Sequence, residues 1–125
     1  MTARLSASLL AAALLVGALP AAAQDAAQGE KVFNKCKACH ALEAGKNKVG
    51  PSLHGVFGRA AGTVEGFKYS DAMKDSGLVW DDTTLAQYLA DPKGFLPRNK
   101  MAFPGLKKPE DIAALLAYLH QATAE

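Results

Sequence analysis

This chain of 125 residues contains few cysteines and carries little net charge. Two cysteines are too few for the crosslinks that stabilise a small disulfide-rich secreted domain. Lys and Arg number 14 against 12 Asp and Glu, so the formal net charge is only +2. This weak basic balance argues against a nucleic-acid-binding protein. Half of the residues are hydrophobic and 21% are charged, which is the composition of a folded chain rather than a disordered one.

Strand-forming residues are also few. Residues 24–125 contain five Val, one Ile and four Thr, whereas Ala, Leu, Lys and Glu are abundant. Because β-branched residues favour strands and the abundant types favour helices, the composition predicts an all-α fold. The length fits a single domain, since typical domains contain roughly 100–150 residues.

The first 23 residues differ from the rest of the chain. They contain one charged residue, Arg4, then an apolar run from Leu5 to Leu19 and an Ala-rich end after Pro20. This order is typical of a secretory signal peptide. A retained membrane anchor is the alternative, but a spanning helix needs about 20 apolar residues and this run is shorter. We therefore expect cleavage after Ala23, a mature domain of residues 24–125, and no stable membrane insertion.

The clearest helix signal lies near the C-terminus. Pro109 suits the first position of a helix. Four apolar residues then recur at the spacing of one helix face: Ile112, Leu115, Leu116 and Leu119.

Two further helices are predicted, with long loops between them. One begins with Asp25 as its N-cap, and the other runs from about Asp82 to Ala90, before Pro92. Gly- and Pro-rich loops occupy Ala44–Gly66 and Lys93–Gly105. Loops of this length commonly have a function of their own, and three short helices offer little core. A large apolar cofactor would complete that core.

The segment Cys36-Lys37-Ala38-Cys39-His40 forms a C-x-x-C-H motif, which is typical of covalent c-type haem attachment. Two thiols three positions apart on a helical turn can add to the two vinyl groups at one edge of a porphyrin. The histidine that follows can then present an imidazole nitrogen to the iron.

The cysteine pair has three other interpretations. The pair could be half of a zinc site, but the sequence contains no second cysteine pair, and His54 and His120 are isolated in the sequence. The pair could be a redox dithiol, but the sequence around it does not show a βαβ pattern. A structural disulfide of an exported protein remains open. The adjacent His40 and the secretory leader favour haem.

The sixth position of a haem iron determines its function. Outside the leader, the candidate methionines are Met73 and Met101. Met101 lies in a predicted loop between Phe95 and Phe103, among prolines. On its own, a methionine between aromatic residues is equally explained as flexible core filler.

Taken together, residues from Gly29 to Ala124 resemble the class I cytochromes c, close to the mitochondrial-like and cytochrome c2 branch. The landmarks are Gly29-x-x-x-Phe33, Cys36-x-x-Cys39-His40, Gly50-Pro51-x-Leu53-His54-Gly55-x-x-Gly58-Arg59, Gly66-Phe67-x-Tyr69, Trp80, Tyr88-Leu89-x-x-Pro92-Lys93, Pro97-x-x-Lys100-Met101-x-Phe103 and Leu116-Ala117-Tyr118-Leu119. The resemblance implies a small cytochrome c fold, with short helices and long loops wrapped around one covalently bound haem.

The resemblance implies roles for residues on both sides of the iron. Met101 would be the distal axial ligand, opposite His40, with Tyr88 near its sulfur. The carbonyl of Pro51 would accept the other ring N–H of His40 and so fix its orientation.

Further roles concern a haem propionate. Tyr69 and Trp80 would donate hydrogen bonds to it, and Arg59 would offset its charge. Trp80 is equally well explained as a plain core aromatic, although its indole N–H needs a partner in either case.

The sequence departs from the pattern of the family at three positions. Met73 stands where many relatives carry Asn, Asn99 stands where Thr is usual, and Asn47 replaces a common His. These departures put the polar network and one propionate contact in doubt, but they remove no ligand.

The implied function is a diffusible one-electron carrier of the periplasm and not an enzyme. His/Met ligation saturates the iron and raises its reduction potential. The resemblance implies electron transfer between a quinol:cytochrome c oxidoreductase and a terminal oxidase or a photosynthetic reaction centre. The alternative is a haem peroxidase or gas-binding sensor with an open sixth position.

Charge is distributed unevenly along the chain. Residues 31–59 hold six basic residues and one acid, residues 93–108 hold five basic residues and no acid, and residues 71–91 hold five Asp and one Lys. In the resembling fold the first two of these segments flank the haem edge, so the resemblance implies that the monomer docks acidic redox partners at a basic haem edge. Such lysines can also be ordinary solvated residues. The docking residues are Lys35, Lys37, Lys48, Lys93, Lys100 and Lys107.

Overall fold

A computed structural model describes residues 8–12 and 21–123. Most of the predicted leader therefore lies outside the described residues. These described residues form five helices, in order α1 Ala21–Phe33, α2 Asp71–Lys74, α3 Asp82–Ala90, α4 Pro92–Phe95 and α5 Pro109–Ala122. In these ranges the β structure is limited to one antiparallel bridge, between Ala60 and Val79. The predicted all-α fold is confirmed. None of the described helices is long and apolar enough to span a membrane.

The predictions for α5 and α3 are confirmed. Helix α5 begins at Pro109, as expected, and buries the four apolar side chains of its predicted face. Helix α3 spans Asp82–Ala90 and begins with a capping box. In that box the Thr84 N–H donates to the Asp81 carboxylate at 2.8 Å, and the Asp81 N–H donates to the Thr84 hydroxyl at 3.0 Å.

The start predicted for α1 is wrong. The helix begins at Ala21 rather than after Asp25, which therefore lies inside it. Three consecutive alanines precede Gln24. Since alanine has the highest helix propensity, these residues extend the helix toward the N-terminus, beyond the residue that could have capped it.

Helices α1 and α5 pack closely at Gly29. A Cβ atom there would collide with the carbonyl oxygen of Ala114 and lie 2.7 Å from the Tyr118 Cβ. One turn further along α1, the Phe33 ring lies 5.5 Å from the Tyr118 ring. The absence of a side chain at Gly29 therefore allows the two helix backbones to approach, and this packing supports the C-x-x-C-H segment at the end of α1.

Two single-turn helices lie where the sequence predicted none. The hydroxyl of Ser70 caps α2 by accepting the Met73 N–H at 3.1 Å. The Asp91 carboxylate caps α4 by accepting the Gly94 N–H at 3.1 Å, with Pro92 at the first helical position. Helices of four residues are too short to show an apolar periodicity, so only their capping residues could have indicated them. Helix α4 takes up the beginning of the predicted loop Lys93–Gly105.

Candidate functional site

A deep cleft opens between the C-x-x-C-H turn, α3, α5 and the loop after α4. It contains about 1380 Å³ of space free of protein atoms, part of it open to solvent. Apolar side chains from several elements form its walls, among them Val56, Leu85, Phe103 and Leu115. All nine residues predicted for the site line this one cleft: Cys36, Cys39, His40, Pro51, Arg59, Tyr69, Trp80, Tyr88 and Met101.

The two thiols lie on a turn that continues the end of α1. The Cys36 N–H donates to the Phe33 carbonyl at 2.8 Å, and the N–H groups of Cys39 and His40 both donate to the Cys36 carbonyl, at 3.0 and 2.9 Å. The two cysteines do not form a disulfide with each other. Burial, followed by the neighbouring Cys39, raises the pKa of Cys36 to about 11, with Lys35 acting against the shift. Within the described residues, no group of three His, Cys, Asp or Glu could hold a metal ion, so the zinc interpretation has no support.

The imidazole of His40 is held by the chain that faces it. Its Nδ1 lies 2.7 Å from the Pro51 carbonyl, the contact that the resemblance implied. Because a carbonyl oxygen can only accept, Nδ1 carries the proton and Nε2 is left with its lone pair. Gly50 packs against the ring, and a Cβ atom there would lie 2.8 Å from Nδ1. This role of Gly50 was not predicted from the sequence, although a glycine immediately before the predicted Pro51 contact was a usable signal.

The environment of His40 favours its neutral form. Burial lowers the pKa of the imidazole, the Pro51 hydrogen bond opposes that shift, and the charges of Arg59 and Lys48 add to it. A neutral imidazole is the form that binds a metal. The ring is therefore fixed in both tautomer and orientation, as an iron ligand requires.

Met101 is surrounded by polar and aromatic groups on the wall near α3. The Tyr88 hydroxyl lies 4.0 Å from the Met101 sulfur and 3.3 Å from Asn99 Oδ1. Burial raises the pKa of Tyr88 to about 12, so the hydroxyl stays protonated and able to donate at any ordinary pH. The Trp80 ring lies 5.1 Å from the Tyr88 ring.

Arg59 provides a positive charge in the wall of the cleft. Its Nη1 donates to the carbonyls of Ser52 and His54 at 3.1 and 2.9 Å. No carboxylate among the described residues forms an ion pair with it, and burial lowers its pKa. Tyr69 accepts a hydrogen bond from the Val64 N–H at 3.1 Å, which leaves its own O–H free to donate. A half-buried guanidinium with no acidic partner fits an anionic group of a ligand.

The three departures from the family pattern have distinct surroundings. Met73 lines the cleft. Asn47 connects two loops, because its Nδ2 donates to the Glu65 carbonyl and its Oδ1 accepts the Ser52 N–H, both at 3.0 Å. Asn99 directs its amide toward the backbone around Met101.

The predicted docking lysines are all exposed. Lys35 and Lys100 line the cleft, whereas the other four are not among the lining residues: Lys37, Lys48, Lys93 and Lys107. The Lys100 ammonium also donates to the Lys68 carbonyl and lies 4.7 Å from the centroid of the Phe67 ring. Lys48 donates to the Lys37 carbonyl at 2.7 Å.

These features define a class of protein. Two cysteine side chains and a preset imidazole lie on one turn, and a thioether lies in the same cleft. Among apolar walls lies a guanidinium that forms no ion pair with any described residue. This donor set fits an iron porphyrin attached through two thioether bonds. The apolar walls would cover the ring, and Arg59 would balance a carboxylate.

Comparison with known proteins leads to the same class. The family model described as Cytochrome c matches residues 26–123. The chain is 62% identical over 93 residues to cytochrome c2 iso-2 of Magnetospirillum fulvum, covering 74% of this chain and 97% of the relative. It is 50% identical over 113 residues to cytochrome c2 of Blastochloris viridis, covering 90% and 89%. The solved structure of cytochrome cH from Methylobacterium extorquens matches with a TM-score of 0.73 and 51% identity, covering 78% of this chain and 98% of that one.

The chain therefore belongs to the cytochrome c family. As in that family, Cys36 and Cys39 are the attachment points of a covalent haem c with its iron. The protein is an electron carrier and not an enzyme.

Proposed function

We propose that the protein is a periplasmic one-electron carrier in which His40 and Met101 are the axial ligands of the haem iron. The observation that carries this proposal is their common cleft, in which the His40 ring is preset by Pro51 and the Met101 sulfur lies beside Tyr88. The haem supplies an iron that alternates between the ferric and ferrous states, with a potential raised by His/Met ligation. If His40 and Met101 both bind the iron, oxygen and peroxide would have no free coordination site.

The remaining side chains of the cleft stabilise this arrangement. Arg59, Tyr69 and Trp80 would hold a propionate, since all three line the cleft and their side chains can donate hydrogen bonds. With haem in the cleft, the apolar walls would exclude water from the ring. Rigid and dry surroundings change little between the two oxidation states, which suits rapid electron exchange.

The ligand assignment is tested by the optical spectrum of the ferric holoprotein. A low-spin spectrum with the weak Met–Fe(III) charge-transfer band is expected. Met101→Ala should abolish this band and let exogenous ligands bind, whereas Met73→Ala removes another thioether of the same cleft and should keep the band. A high-spin wild-type spectrum would support the peroxidase or sensor alternative. A band that survives in Met101→Ala would show that another residue is the distal ligand.

We further propose that the six predicted lysines steer acidic redox partners to the haem edge. The partners implied are a quinol:cytochrome c oxidoreductase as donor and a terminal oxidase or photosynthetic reaction centre as acceptor. Lys35 and Lys100 support this proposal, because they are exposed and line the cleft.

Electron-transfer kinetics test the steering proposal. The bimolecular rate with an acidic partner should fall as ionic strength rises. Lys35→Gln and Lys37→Gln should slow the reaction several-fold at low salt. Lys74→Gln is the matched control, since Lys74 lies on α2 beside Asp71, at 3.4 Å, and should leave the rate unchanged. Equal effects at all three positions, or a rate independent of salt, would contradict steering.

The proposed mature protein is a monomer of residues 24–125, exported and cleaved after Ala23. The mass and N-terminal sequence of the protein recovered from periplasm test the cleavage site. A chain that begins at Gln24 is expected, and retention of Met1–Ala23 would overturn this part of the proposal.

A further inference from the structure

The side chain of Asn99 makes four hydrogen bonds near Met101. Its Nδ2 donates to the carbonyls of Pro92 and Leu96 at 2.9 and 2.8 Å. Its Oδ1 accepts the Met101 N–H at 2.9 Å and lies 3.3 Å from the Tyr88 hydroxyl. A primary amide has two donor hydrogens and an oxygen with two lone pairs. The bonding capacity of Asn99 is therefore fully used.

This pattern fixes the orientation of the amide. If oxygen and nitrogen were exchanged, the oxygen would face two carbonyl oxygens, and the nitrogen would face the N–H of Met101. Both contacts would then be repulsive. In the observed orientation, the backbone N–H of Met101 has the Asn99 oxygen as its acceptor.

Asn99 joins three parts of the chain that meet at the distal wall. Pro92 begins α4 and Leu96 directly follows it. Tyr88 belongs to α3, and Met101 lies in the loop after α4. Between α4 and Met101 the backbone reverses at Arg98, which has a positive φ of 68° although it is not a glycine. Such a conformation is uncommon and needs surrounding contacts to persist. The bonds of Asn99 on both sides of this turn provide them.

The same geometry leaves Asn99 no hydrogen for a propionate. Both amide hydrogens are committed to backbone carbonyls, so this residue does not take over a propionate contact at the position where Thr is usual in the family. It acts instead on the backbone of Met101.

Asn99 also shares the hydroxyl of Tyr88 with the Met101 sulfur. Tyr88 has one hydroxyl hydrogen, and its two acceptors lie at 3.3 Å on Asn99 and 4.0 Å on Met101. The Asn99 oxygen is both the nearer and the stronger acceptor, so the Tyr88 hydroxyl donates its hydrogen to Asn99 rather than to the sulfur.

We propose that Asn99 is the positioning residue that holds Met101 in place and sets how often the distal side of the iron opens. This inference rests on the proposed His40/Met101 ligation. It predicts that the bonds of Asn99 keep the loop closed without any contact between Asn99 and the haem.

Imidazole binding to the ferric holoprotein measures the opening, because imidazole can coordinate only after Met101 has left. Asn99→Leu keeps the number and branching of the side-chain heavy atoms and removes all four hydrogen bonds. Since each bond contributes modestly to stability, we expect imidazole affinity to rise roughly 10- to 100-fold. Asn99→Asp is the second variant, because it retains the acceptor for Met101 but replaces both donors by an oxygen. We expect a rise of at least several-fold.

Asn47→Leu is the matched control. Asn47 also connects two loops through its amide, but it bonds Glu65 and Ser52 rather than the Met101 loop. It should lower the midpoint of unfolding while leaving imidazole affinity near that of the wild type. Hydrogen exchange of the Met101 amide gives an independent measurement, and its protection should fall in both Asn99 variants and not in Asn47→Leu.

The outcomes separate this inference from the proposed ligation. A wild-type protein without the Met–Fe(III) band refutes the ligation itself. A wild type that has the band, with imidazole affinity and Met101 amide exchange unchanged in Asn99→Asp, refutes the positioning role alone. Equal effects of Asn47→Leu and the Asn99 variants on imidazole binding would also refute it, since they would reflect general loss of stability. If Asn99→Leu does not fold, Asn99→Asp decides.

Discussion

Replacing Gly50 by alanine should displace the imidazole of His40. The backbone of Gly50 does not have the positive φ that disfavours a side chain, so alanine causes no backbone strain there. The added Cβ would instead lie 2.8 Å from both ring nitrogens of His40. Real Cβ contacts are longer, and the ring would have to move away from its present position.

The cost of this displacement can be worked out from two contributions. Insertion of a methyl group into a packed interior costs about 1–3 kcal/mol. If the ring moves, the 2.7 Å hydrogen bond to Pro51 is also weakened. Such a bond contributes about 1 kcal/mol. The holoprotein should therefore lose roughly 2–4 kcal/mol, which for a domain of this size lowers the melting temperature by roughly 10 °C or more.

The assay is thermal unfolding of the holoprotein, with the visible spectrum recorded on the same samples. Gly77→Ala is the control, because its φ is +67° and nothing lies within 4 Å of the added Cβ. It should cost about 1 kcal/mol through backbone strain and leave the spectrum unchanged. The reasoning is refuted if Gly50→Ala is as stable as the wild type, or if its spectrum changes no more than that of Gly77→Ala.

Three further predictions concern packing, ionisation and capping. Gly29→Ala should lower the free energy of unfolding by about 1–3 kcal/mol in denaturant titration, since the Cβ meets the backbone of Ala114; a neutral effect would contradict the close packing of α1 and α5. Tyr88→Phe should remove the tyrosinate absorbance step near pH 12. Because folding raises this pKa, the stability that Tyr88 adds is complete below pH about 10, the ordinary tyrosine pKa, and is lost as the pH rises through 12. A pH-independent difference between the wild type and Tyr88→Phe would contradict this. Asp81→Ala should cost about 1 kcal/mol through loss of the α3 cap, and unchanged urea unfolding would show that the capping box contributes nothing.

The sequence predicted the helices that show both an apolar periodicity and a residue that marks one end of the helix. Helix α5 has four apolar residues on one face behind Pro109, and α3 ends before Pro92, so their bounds agree with the structure. The start of α1 was wrong because alanine propensity outweighed a single capping aspartate. Helices α2 and α4 form through caps at Ser70 and Asp91 and through tertiary packing, neither of which produces a pattern in four residues.

The site was predictable to the extent that its chemistry is local. Cys36, Cys39 and His40 lie within five consecutive residues, so one turn brings them together. Met101 is far from them along the chain, and only the resemblance to a family gave it a role.

The network around Asn99 could not be derived from the sequence. Its partners are backbone groups of Pro92, Leu96 and Met101, and the sequence does not indicate where backbone groups in a loop point. The substitution of Thr by Asn marked the position as unusual, but the bonds depend on the turn at Arg98.

The most direct test of the central claim is X-ray absorption spectroscopy at the iron edge of the ferric holoprotein. His/Met ligation predicts one sulfur in the first coordination shell of the iron. This sulfur should be lost in Met101→Ala and retained in Met73→Ala. A shell without sulfur in the wild type, or a sulfur that persists in Met101→Ala, would contradict the assignment of Met101 as the distal ligand.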